Sequence, residues 1–361
     1  MAITELWVDR GDFRNTRVVS EDIPAMGDGE ILVAIDKFAL TSNNVSYAAS
    51  GDMIGYWQFF PTHEAPWGKV PVWGMAEVVA SNAADITVGE RLYGFFPMAT
   101  HLVMTPGGVR AEGFSDRQPH RQELPALYNH YARTDAEPAA LQAVENERCL
   151  YFPLFITGYV ITDLLADNDW FDAEQIVIGS VSSKTGFGLA SFIKTFGYAG
   201  EVVGLTSAGN RGFVESLGIC DSLATYDEVG TIAHRPSVFV DMAGDKSTRI
   251  ALHQHLVANM KASLMVGATH WDAWRPDDMP TPLPGSAPEF FFAPAQIDKR
   301  NDEWGPGVLM EKAYTASTEL ALSLAGKLDM QAHSGAAACA EIWVDLLNNK
   351  VSPRRGILVS L

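Results

Sequence analysis

Cysteine is scarce in this chain of 361 residues, and the three that occur, Cys149, Cys220 and Cys339, lie far apart. Their spacing provides neither the framework of a disulfide-rich protein nor a CxxC metal knuckle. A chain that does not depend on disulfides suits a reducing compartment, so we expect a cytoplasmic protein.

Basic residues are also few. The chain has 26 lysines and arginines against 44 aspartates and glutamates, a formal net charge of −18. A nucleic-acid-binding protein needs a basic surface for the phosphates, and an anionic membrane also attracts basic residues. We therefore expect neither nucleic acid nor membrane as a partner, although acidity is often only a matter of solubility.

Long apolar runs are missing as well. The longest nearly apolar stretch, residues 149–161, has 13 residues and contains Pro153 and Gly158, whereas a membrane-spanning helix needs about 20. The N-terminus lacks the charged-then-apolar layout of a signal peptide. With 47% hydrophobic and 19% charged residues, the composition indicates a globular protein that is long enough for two domains.

The most informative stretch that is present is residues 175–194, which read as a strand, a glycine-rich turn and a helix. The apolar run 176–178 is followed by a turn with Gly179, Gly186 and Gly188, and then by apolar residues at helical spacing. A helix N-terminus presents unpaired N–H groups and a partial positive charge, and glycines let an anion approach closely. The turn therefore predicts a phosphate-binding site. Its glycines do not follow the GxGxxG spacing, and an ordinary tight turn is the alternative.

The pattern of the chain changes near residue 151. Before it, short strands with glycine turns predict a small barrel-like β domain. A polar segment at 106–140 interrupts it; such a segment is typical of a functional loop or lid, and a surface excursion is the alternative. After it, strands alternate with helices, which predicts a parallel sheet covered on both faces. We assign residues 1–150 to the first domain, 151–297 to a cofactor-binding domain, and 298–361 to a C-terminal part that returns to the first domain.

The order of these segments resembles the medium-chain dehydrogenase/reductase superfamily, in particular its zinc-free quinone oxidoreductases and enoyl reductases. The resemblance covers nearly the whole chain. Five segments carry it, matching the family's first hairpin, active-site loop, barrel turn, helix into the cofactor domain and last strand: 29–33 (GEILV), 39–47 (ALTSNNVSY), 88–94 (VGERLYG), 153–159 (PLFITGY) and 355–359 (RGILV). It implies an α/β protein with a GroES-like β-barrel domain and a doubly wound Rossmann domain, which holds a nicotinamide cofactor at the carboxyl ends of its strands. The long 106–140 segment indicates a divergent subfamily.

Within that resemblance, the end of the second Rossmann strand favours NADPH over NADH. NAD-binding units carry an acidic residue there, which would repel a 2′-phosphate, whereas this chain has hydroxyls and an arginine. We predict NADP(H) as the cofactor, and the alternative is a polar loop with a solvated arginine. The predicted contacts come from the glycine turn, from the end of the second strand and from two later turns: Gly179, Ser180, Ser182, Ser183, Lys184, Thr185, Gly186, Phe187, Gly188, Thr206, Ser207, Arg211, Ala243, Gly244, Gly267 and Ala268.

We expect no metal. The zinc-dependent relatives carry a cysteine in the active-site loop and a Gly-His-Glu motif later. This chain has Ser42-Asn43-Asn44 and Trp73-Gly74-Met75-Ala76-Glu77 at those places, and His63-Glu64 has no partner cysteine. A catalytic zinc needs three protein ligands, and no convincing set is present.

Without a metal, hydride transfer to an activated double bond or carbonyl needs a donor of hydrogen bonds or protons. Tyr47 stands where the enoyl reductases carry their tyrosine acid, and Asn43 is near the asparagine common in this loop, so the resemblance implies that both are catalytic. The alternative for Tyr47 is a packed ring with a locally satisfied hydroxyl. Trp57, Tyr128 and Tyr131 are predicted substrate contacts, with core packing as their alternative.

These expectations combine into an NADPH-dependent, zinc-independent oxidoreductase that acts on an enone, a quinone or an enoyl-type small molecule. The competing hypothesis is a non-catalytic NADP(H)-binding redox sensor or structural relative, because a fold does not determine a function. The run Phe290-Phe291-Phe292 falls where the family's Rossmann domains pair edge to edge, which predicts a homodimer; an internal strand is the alternative.

Overall fold

A computed structural model describes residues 2–266 and 282–361 of the chain. The chain forms two compact units. The first consists of the residues up to Leu150 together with Leu328–Leu361, and the second is Tyr151–Lys327.

The first unit begins with strands joined by turns and short helices. In chain order these elements are β1 (Ala2–Asp9), β2 (Thr16–Asp22), β3 (Ile31–Leu40), α1 (Ser42–Ala49), α2 (Gly51–Ile54), β4 (Trp67–Gly68), β5 (Pro71–Ser81), β6 (Arg91–Pro97), β7 (His101–Met104), β8 (Pro106–Gly107), β9 (Gly113–Asp116), β10 (His130–Arg133) and α3 (Ala139–Gln142).

A long helix, α4 (Glu145–Asp167), leads from the first unit into the second. By length and composition it could cross a membrane, since its most apolar window has a mean hydropathy of 1.6, yet 72% of that window is buried inside the protein. The sequence argument did not foresee so long an apolar helix because the helix continues on both sides of the run that contains Pro153. A helix buried on most of its surface is apolar nearly all round, so α4 has the character of a core helix.

The second unit alternates strands and helices. Its elements are β11 (Gln175–Gly179), α5 (Lys184–Thr195), β12 (Glu201–Thr206), α6 (Ala208–Leu217), β13 (Ser222–Thr225), β14 (Ser237–Asp241), α7 (Lys246–Leu256), β15 (Met260–Met265), β16 (Pro288–Phe290), α8 (Ala293–Trp304) and α9 (Val308–Ser323). Among the described residues, the strands form one parallel sheet in the order β13-β12-β11-β14-β15-β16. In chain order this is 3-2-1-4-5-6, the order of a doubly wound Rossmann sheet.

The core of the second unit explains why its strands read as continuous apolar runs. Every residue of β11 and β14 is buried, as expected where helices cover both faces of a parallel sheet. Val177, Val203 and Phe239 from three neighbouring strands pack with Leu252 and Leu256 of α7 in one apolar cluster. This packing brings the carboxyl ends of β11, β12 and β14 to one edge, where an open parallel sheet binds its ligand.

The chain then returns to the first unit with β17 (Asp329–Ser334), α10 (Ala336–Leu347) and β18 (Arg355–Ser360). Within the described residues, nine strands form a sheet in the order β17-β18-β3-β5-β6-β10-β9-β8, with β7 paired to β3. A second sheet has the order β2-β1-β4.

The return occurs at Leu328 and not at residue 298, where we placed it from the sequence. Helices α8 and α9 belong to the second unit because a buried polar network ties α8 to α4. Arg300 Nε donates to Asp163 Oδ2 at 2.7 Å, and Gln296 Nε2 donates to the same oxygen at 2.6 Å. Buried charges require such partners, and these partners are more than 130 residues apart in sequence.

The segment 106–140, for which the sequence left a functional loop or a surface excursion open, contributes β8, β9 and β10 to the nine-stranded sheet. Arg121, 1% exposed, anchors it: Nη1 donates to Asp116 Oδ2 at 2.7 Å and to the Tyr131 hydroxyl at 3.0 Å. Its guanidinium also lies 4.7 Å from the centre of the Phe60 ring, a cation–π contact. The segment is therefore mainly an extension of the sheet.

Candidate functional site

The predicted glycine turn lies at the carboxyl end of β11. Ser180 adopts a left-handed conformation with φ of 52°, which is uncommon for a residue other than glycine. Ser183 caps α5, and its Oγ accepts a hydrogen bond from the Gly186 amide at 3.1 Å. A Cβ atom on Gly186 would lie 2.6 Å from the Ser180 carbonyl oxygen and 2.8 Å from Val181 Cα. A glycine at 186 is therefore what allows α5 to begin so close to the turn.

The first turn of α5 carries a cation. Lys184 is the first residue of the helix and is half-buried, and loss of water around its ammonium group lowers its pKa to about 8. Thr185 follows it at the same helix N-terminus, where backbone N–H groups favour an anion. A phosphate placed here would stabilise the charged form of Lys184.

Two predicted cofactor contacts serve to pack the helix. Phe187 is fully buried, and its ring centre lies 5.8 Å from that of Phe155 on α4. A Cβ atom on Gly188 would lie 2.7 Å from the Phe155 ring. These residues position α5 against α4, because they face the interior of the unit.

The end of β12 contains a buried hydroxyl that lacks a hydrogen bond. Thr206 is 0% exposed, and its Oγ1 has no partner in the part of the chain that the structure describes. Nearby, the Val181 amide of the glycine turn donates to the Leu205 carbonyl at 3.0 Å. A buried polar atom without a partner costs free energy, and Thr206 lies at the edge where open parallel sheets bind their ligands.

Asn210, which we did not single out from the sequence, connects the two turns. It lies in the first turn of α6, and its Nδ2 is 3.5 Å from the Oγ of Ser182, a residue only 5% exposed. Ser207 is the half-buried residue that precedes α6, and its side chain makes no capping hydrogen bond. Small polar side chains from both turns therefore meet at this edge of the sheet.

Arg211 is held by acidic side chains. Its Nη1 lies 3.0 Å from Glu228 Oε2 and its Nε 3.3 Å from Glu215 Oε1, and Nη2 donates to the Leu223 carbonyl at 3.3 Å. We predicted that this guanidinium binds the 2′-phosphate. In the structure a phosphate would have to compete with Glu228, which sequence reasoning did not connect with Arg211, so the contact stays a prediction.

Tyr226 is a second residue that sequence reasoning missed. It follows β13, is half-buried, and its hydroxyl interacts with both the side chain and the backbone of Ser180. Burial raises the pKa of this tyrosine, so the hydroxyl is neutral. Tyr226 thus reaches the left-handed residue of the glycine turn.

The turn after β14 is organised by a buried carboxylate. Asp241, 2% exposed, accepts hydrogen bonds from the amides of Ala243 at 3.0 Å and Gly244 at 2.9 Å, and it pairs with Arg249 at 2.9 Å. Burial raises the pKa of Asp241, and the Arg249 charge opposes that rise. The predicted contacts Ala243 and Gly244 therefore lie in a turn whose amides are already bonded. The predicted contacts Gly267 and Ala268 lie outside the described residues.

In the first unit, the predicted catalytic tyrosine lies on α1. Thr41 caps this helix, and its hydroxyl oxygen accepts a hydrogen bond from the Asn43 amide at 3.2 Å. Tyr47 is 6% exposed, and its hydroxyl oxygen accepts a hydrogen bond from Trp73 Nε1 at 3.2 Å. The side chain of Asn43 interacts with the same hydroxyl. Burial raises the pKa of Tyr47, so the group is a neutral acid.

Tyr47 belongs to an aromatic cluster that also contains Tyr56, Tyr128, Trp73 and Phe95. The Tyr47 and Tyr56 ring centres are 4.5 Å apart, and the Tyr56 and Tyr128 hydroxyls are 2.8 Å apart. The structure therefore brings together the predicted residues Tyr47 and Tyr128, and adds Tyr56, which we had not named. Three phenol groups, one indole N–H and the Asn43 amide therefore lie together among aromatic rings.

Trp57 and Tyr131, the other predicted substrate contacts, are packed in the interior of the first unit. Cβ atoms on Gly51 and Gly68 would lie 2.2 Å and 2.5 Å from the Trp57 ring, so these glycines make room for it. Tyr131 is 0% exposed, and its hydroxyl donates to the Phe95 carbonyl at 2.5 Å and accepts from Arg121. Both residues match the core-packing alternative.

Within the described ranges, no group of three or more histidine, cysteine, aspartate or glutamate side chains is placed to hold a metal ion. The side chains around Tyr47 are aromatic or amide groups. Zinc independence nevertheless stays a prediction.

Residues 38–352 match the model of the family described as "Protein of unknown function (DUF2855)". The chain belongs to this family. No curated protein matches the sequence. Membership in DUF2855 therefore brings no activity with it.

Solved structures share the fold of this DUF2855 protein. CurA from Vibrio vulnificus in complex with NADPH is 14% identical and has a TM-score of 0.62, with 99% of this chain and 98% of that chain covered. The yhdH oxidoreductase from Salmonella enterica in complex with NADP is 14% identical, with a TM-score of 0.56 and 99% of both chains covered. A mutant form of the enoyl thioester reductase from Candida tropicalis is 12% identical, with a TM-score of 0.57 and both chains covered completely.

At these identities the likeness concerns the fold. It confirms the predicted fold class, a GroES-like domain combined with a Rossmann domain, and the predicted resemblance in fold to enoyl reductases and quinone oxidoreductases. The roles of the individual site residues remain predictions.

The Thr206 hydroxyl, which has no hydrogen-bond partner among the described residues, leads to a stability prediction for the cofactor-free protein. Thr206→Val removes a buried polar atom that has no hydrogen bond, so the free energy of unfolding should rise by about 1 kcal/mol. Thr225→Val is the matched control, because Thr225 pairs with Thr206 on the neighbouring strand. Its hydroxyl donates to Asp227 and its side chain caps the following turn, so this change should lower the free energy of unfolding by about 1 kcal/mol. Urea unfolding followed by circular dichroism measures both, and equal losses would contradict the assignment of Thr206.

Proposed function

We propose that this protein is an NADPH-dependent oxidoreductase that transfers hydride to an activated double bond or carbonyl of a small molecule. One observation carries the proposal: the carboxyl edge of a Rossmann sheet holds the buried Thr206 hydroxyl, which has no hydrogen-bond partner among the described residues, and the carboxyl end of its strand has no acidic residue. An aspartate or glutamate there would favour NAD, because a carboxylate repels a 2′-phosphate.

The residues at this edge fit the phosphates of NADPH. The N-terminus of α5 and Lys184 would hold the pyrophosphate, because both are electropositive and the turn is held close to the helix by Gly186. Thr206 and Ser207 would donate hydrogen bonds to the 2′-phosphate. NADPH, when bound, supplies the hydride.

The tyrosine cluster fits the substrate end of this chemistry. Reduction of an α,β-unsaturated carbonyl adds hydride at the β-carbon and a proton at the α-carbon, and it needs a donor near the carbonyl oxygen or α-carbon. Tyr47 is a neutral acid that is 6% exposed among aromatic rings, and such surroundings suit a flat, apolar substrate. The fold shared with CurA, the yhdH oxidoreductase and an enoyl thioester reductase supports this class of reaction.

A non-catalytic NADP(H) sensor of the same fold is the second candidate. The observation that favours it is the low exposure of Tyr47, 6%, together with the carboxylates that already engage Arg211. Tight cofactor binding without turnover of any enone, quinone, enoyl thioester or aldehyde would support this candidate.

Cofactor selectivity is the first test. We expect NADPH to quench protein fluorescence at micromolar concentration and NADH to bind at least tenfold more weakly, because the 2′-phosphate gains charge-assisted hydrogen bonds. Thr206→Val should weaken NADPH binding without weakening NADH binding. If Lys184 contacts a phosphate, the NADPH Kd should be constant just below pH 8 and should rise about tenfold per pH unit above it, since Lys184 of the cofactor-free protein loses its proton there. Lys184→Met should abolish this pH dependence, and equal Kd values for the two cofactors would contradict NADPH selectivity.

Turnover is the second test. Oxidation of NADPH, followed by its absorbance with a panel of enones, quinones and enoyl thioesters, should identify a substrate. Tyr47→Phe should lower kcat for that substrate by about 10²-fold with the NADPH Kd unchanged, because general acids commonly contribute that much. Tyr131→Phe is unsuitable as a control because its hydroxyl is part of the buried Arg121 network. An unaltered kcat in Tyr47→Phe would remove Tyr47 from the mechanism.

We also propose a homodimer in the cytoplasm. Strand β16 is at the edge of the described sheet, and Phe290 is 50% and Phe292 43% exposed while Phe291 is buried. An exposed apolar edge strand favours pairing with a second copy. Light scattering after size-exclusion chromatography should give twice the mass of the chain. Phe290→Asp should give a monomer, whereas Val18→Asp, at an equally exposed site on β2, should leave the dimer intact; a monomeric unaltered protein would contradict the proposal.

A further inference from the structure

We propose that Trp73 is a positioning residue that fixes the direction in which Tyr47 delivers its proton. The inference rests on the proposed function, in which Tyr47 is the proton donor.

The geometry of one hydrogen bond carries the argument. Trp73 Nε1 is 3.2 Å from the Tyr47 hydroxyl oxygen. An indole nitrogen can only donate, so the Tyr47 oxygen must be the acceptor in this bond. The hydrogen of Tyr47 therefore cannot point at Trp73 and must lie along another direction. Asn43 interacts with the same hydroxyl, which restricts the remaining directions further.

The indole is itself held in place. Trp73 is half-buried on β5, and its ring stacks on Tyr93 of the neighbouring strand with centres 5.5 Å apart and an interplanar angle of 25°. Its ring centre is 5.2 Å from that of Phe95 and 6.2 Å from that of Tyr128. Two β-strands and the turn that carries Tyr128 thus set the direction of the N–H bond.

The surroundings of Tyr47 add no described charge that would replace this donor. The titratable groups packed against Tyr47 are Tyr56 and Tyr128, whose hydroxyls bond to each other at 2.8 Å, and burial raises the pKa of both. When Tyr47 gives up its proton, the Trp73 N–H remains on the oxygen and stabilises the phenolate. Loss of this donor should therefore affect the chemical step and leave substrate binding nearly unchanged.

The test compares two tryptophan substitutions. Trp73→Phe keeps an aromatic ring and removes the N–H. Trp343→Phe is the matched control, since Trp343 is fully buried and its Nε1 donates to the Phe13 carbonyl at 2.7 Å in the same unit. With the substrate found by turnover, Trp73→Phe should lower kcat on the order of tenfold with KM changed less than about twofold, as expected for one hydrogen bond to a charged oxygen. Trp343→Phe should lower the free energy of unfolding and leave kcat within about twofold.

A double-mutant cycle shows whether Trp73 acts through Tyr47. The Tyr47→Phe/Trp73→Phe protein should be no slower than Tyr47→Phe alone, because the donor has nothing left to orient. Multiplicative losses, or equal kcat values for Trp73→Phe and Trp343→Phe, would overturn the role of Trp73 while leaving the proposed function intact. An unaltered kcat in Tyr47→Phe would overturn both.

A measurement without turnover completes the test. The Trp73 indole N–H resonance, assigned in ¹H–¹⁵N NMR spectra by its absence from Trp73→Phe, should move upfield in Tyr47→Phe because the hydrogen bond is lost. The Trp343 resonance should stay in place. An unmoved Trp73 resonance would show that the bond is absent in solution and would overturn the inference whatever the enzyme catalyses.

Discussion

The close approach of α5 to the turn after β11 is the constraint on which the second unit depends. There is no room for a side chain at Gly186 between the helix and the turn. The Ser183 hydroxyl oxygen caps the helix by accepting a hydrogen bond from the Gly186 amide. This contact sets the helix N-terminus and Lys184 at the carboxyl edge of the sheet. The neighbouring turn is then fixed by the hydrogen bond from Val181 to Leu205, which places the end of β12 beside the glycine turn. The predicted anion site at this edge therefore depends on the helix N-terminus as well as on Lys184.

In the first unit, polar groups are buried among aromatic rings and need partners there. Arg121 pairs with Asp116, donates to Tyr131 and lies over the face of an aromatic ring, so its role is structural. The Tyr47 hydroxyl oxygen accepts a hydrogen bond from Trp73, and this bond does not use the phenol proton. A buried hydroxyl arranged in this way can act as an acid, whereas a buried hydroxyl that donates to a backbone carbonyl, such as that of Tyr131, cannot do so without losing its bond.

Features that depend on neighbouring residues were predictable from the sequence, whereas long-range pairings were not. The strand, turn and helix at 175–195 and the alternation that follows were predictable, because period and glycine positions are local properties. The residue at which the chain returns to the first unit was not predictable, since the apolar pattern of α8 does not reveal that Arg300 pairs with Asp163. The role of the 106–140 segment stayed open for the same reason, because its polar composition does not reveal an arginine that pairs with a buried acid.

The sequence alone determined the two-part architecture, the parallel sheet, the glycine turn and the non-acidic end of β12, since each depends on residues close together along the chain. Only the tertiary structure decided which side chains share a site. Tyr47, Tyr56 and Tyr128 come from three separate segments, and Trp73 reaches the first of them from a strand 26 residues away. The ion pair between Arg211 and Glu228 likewise depends on the tertiary structure. Such pairings depend on strand register and on how helices lie on sheets, and burial then makes every polar group find a partner or a ligand.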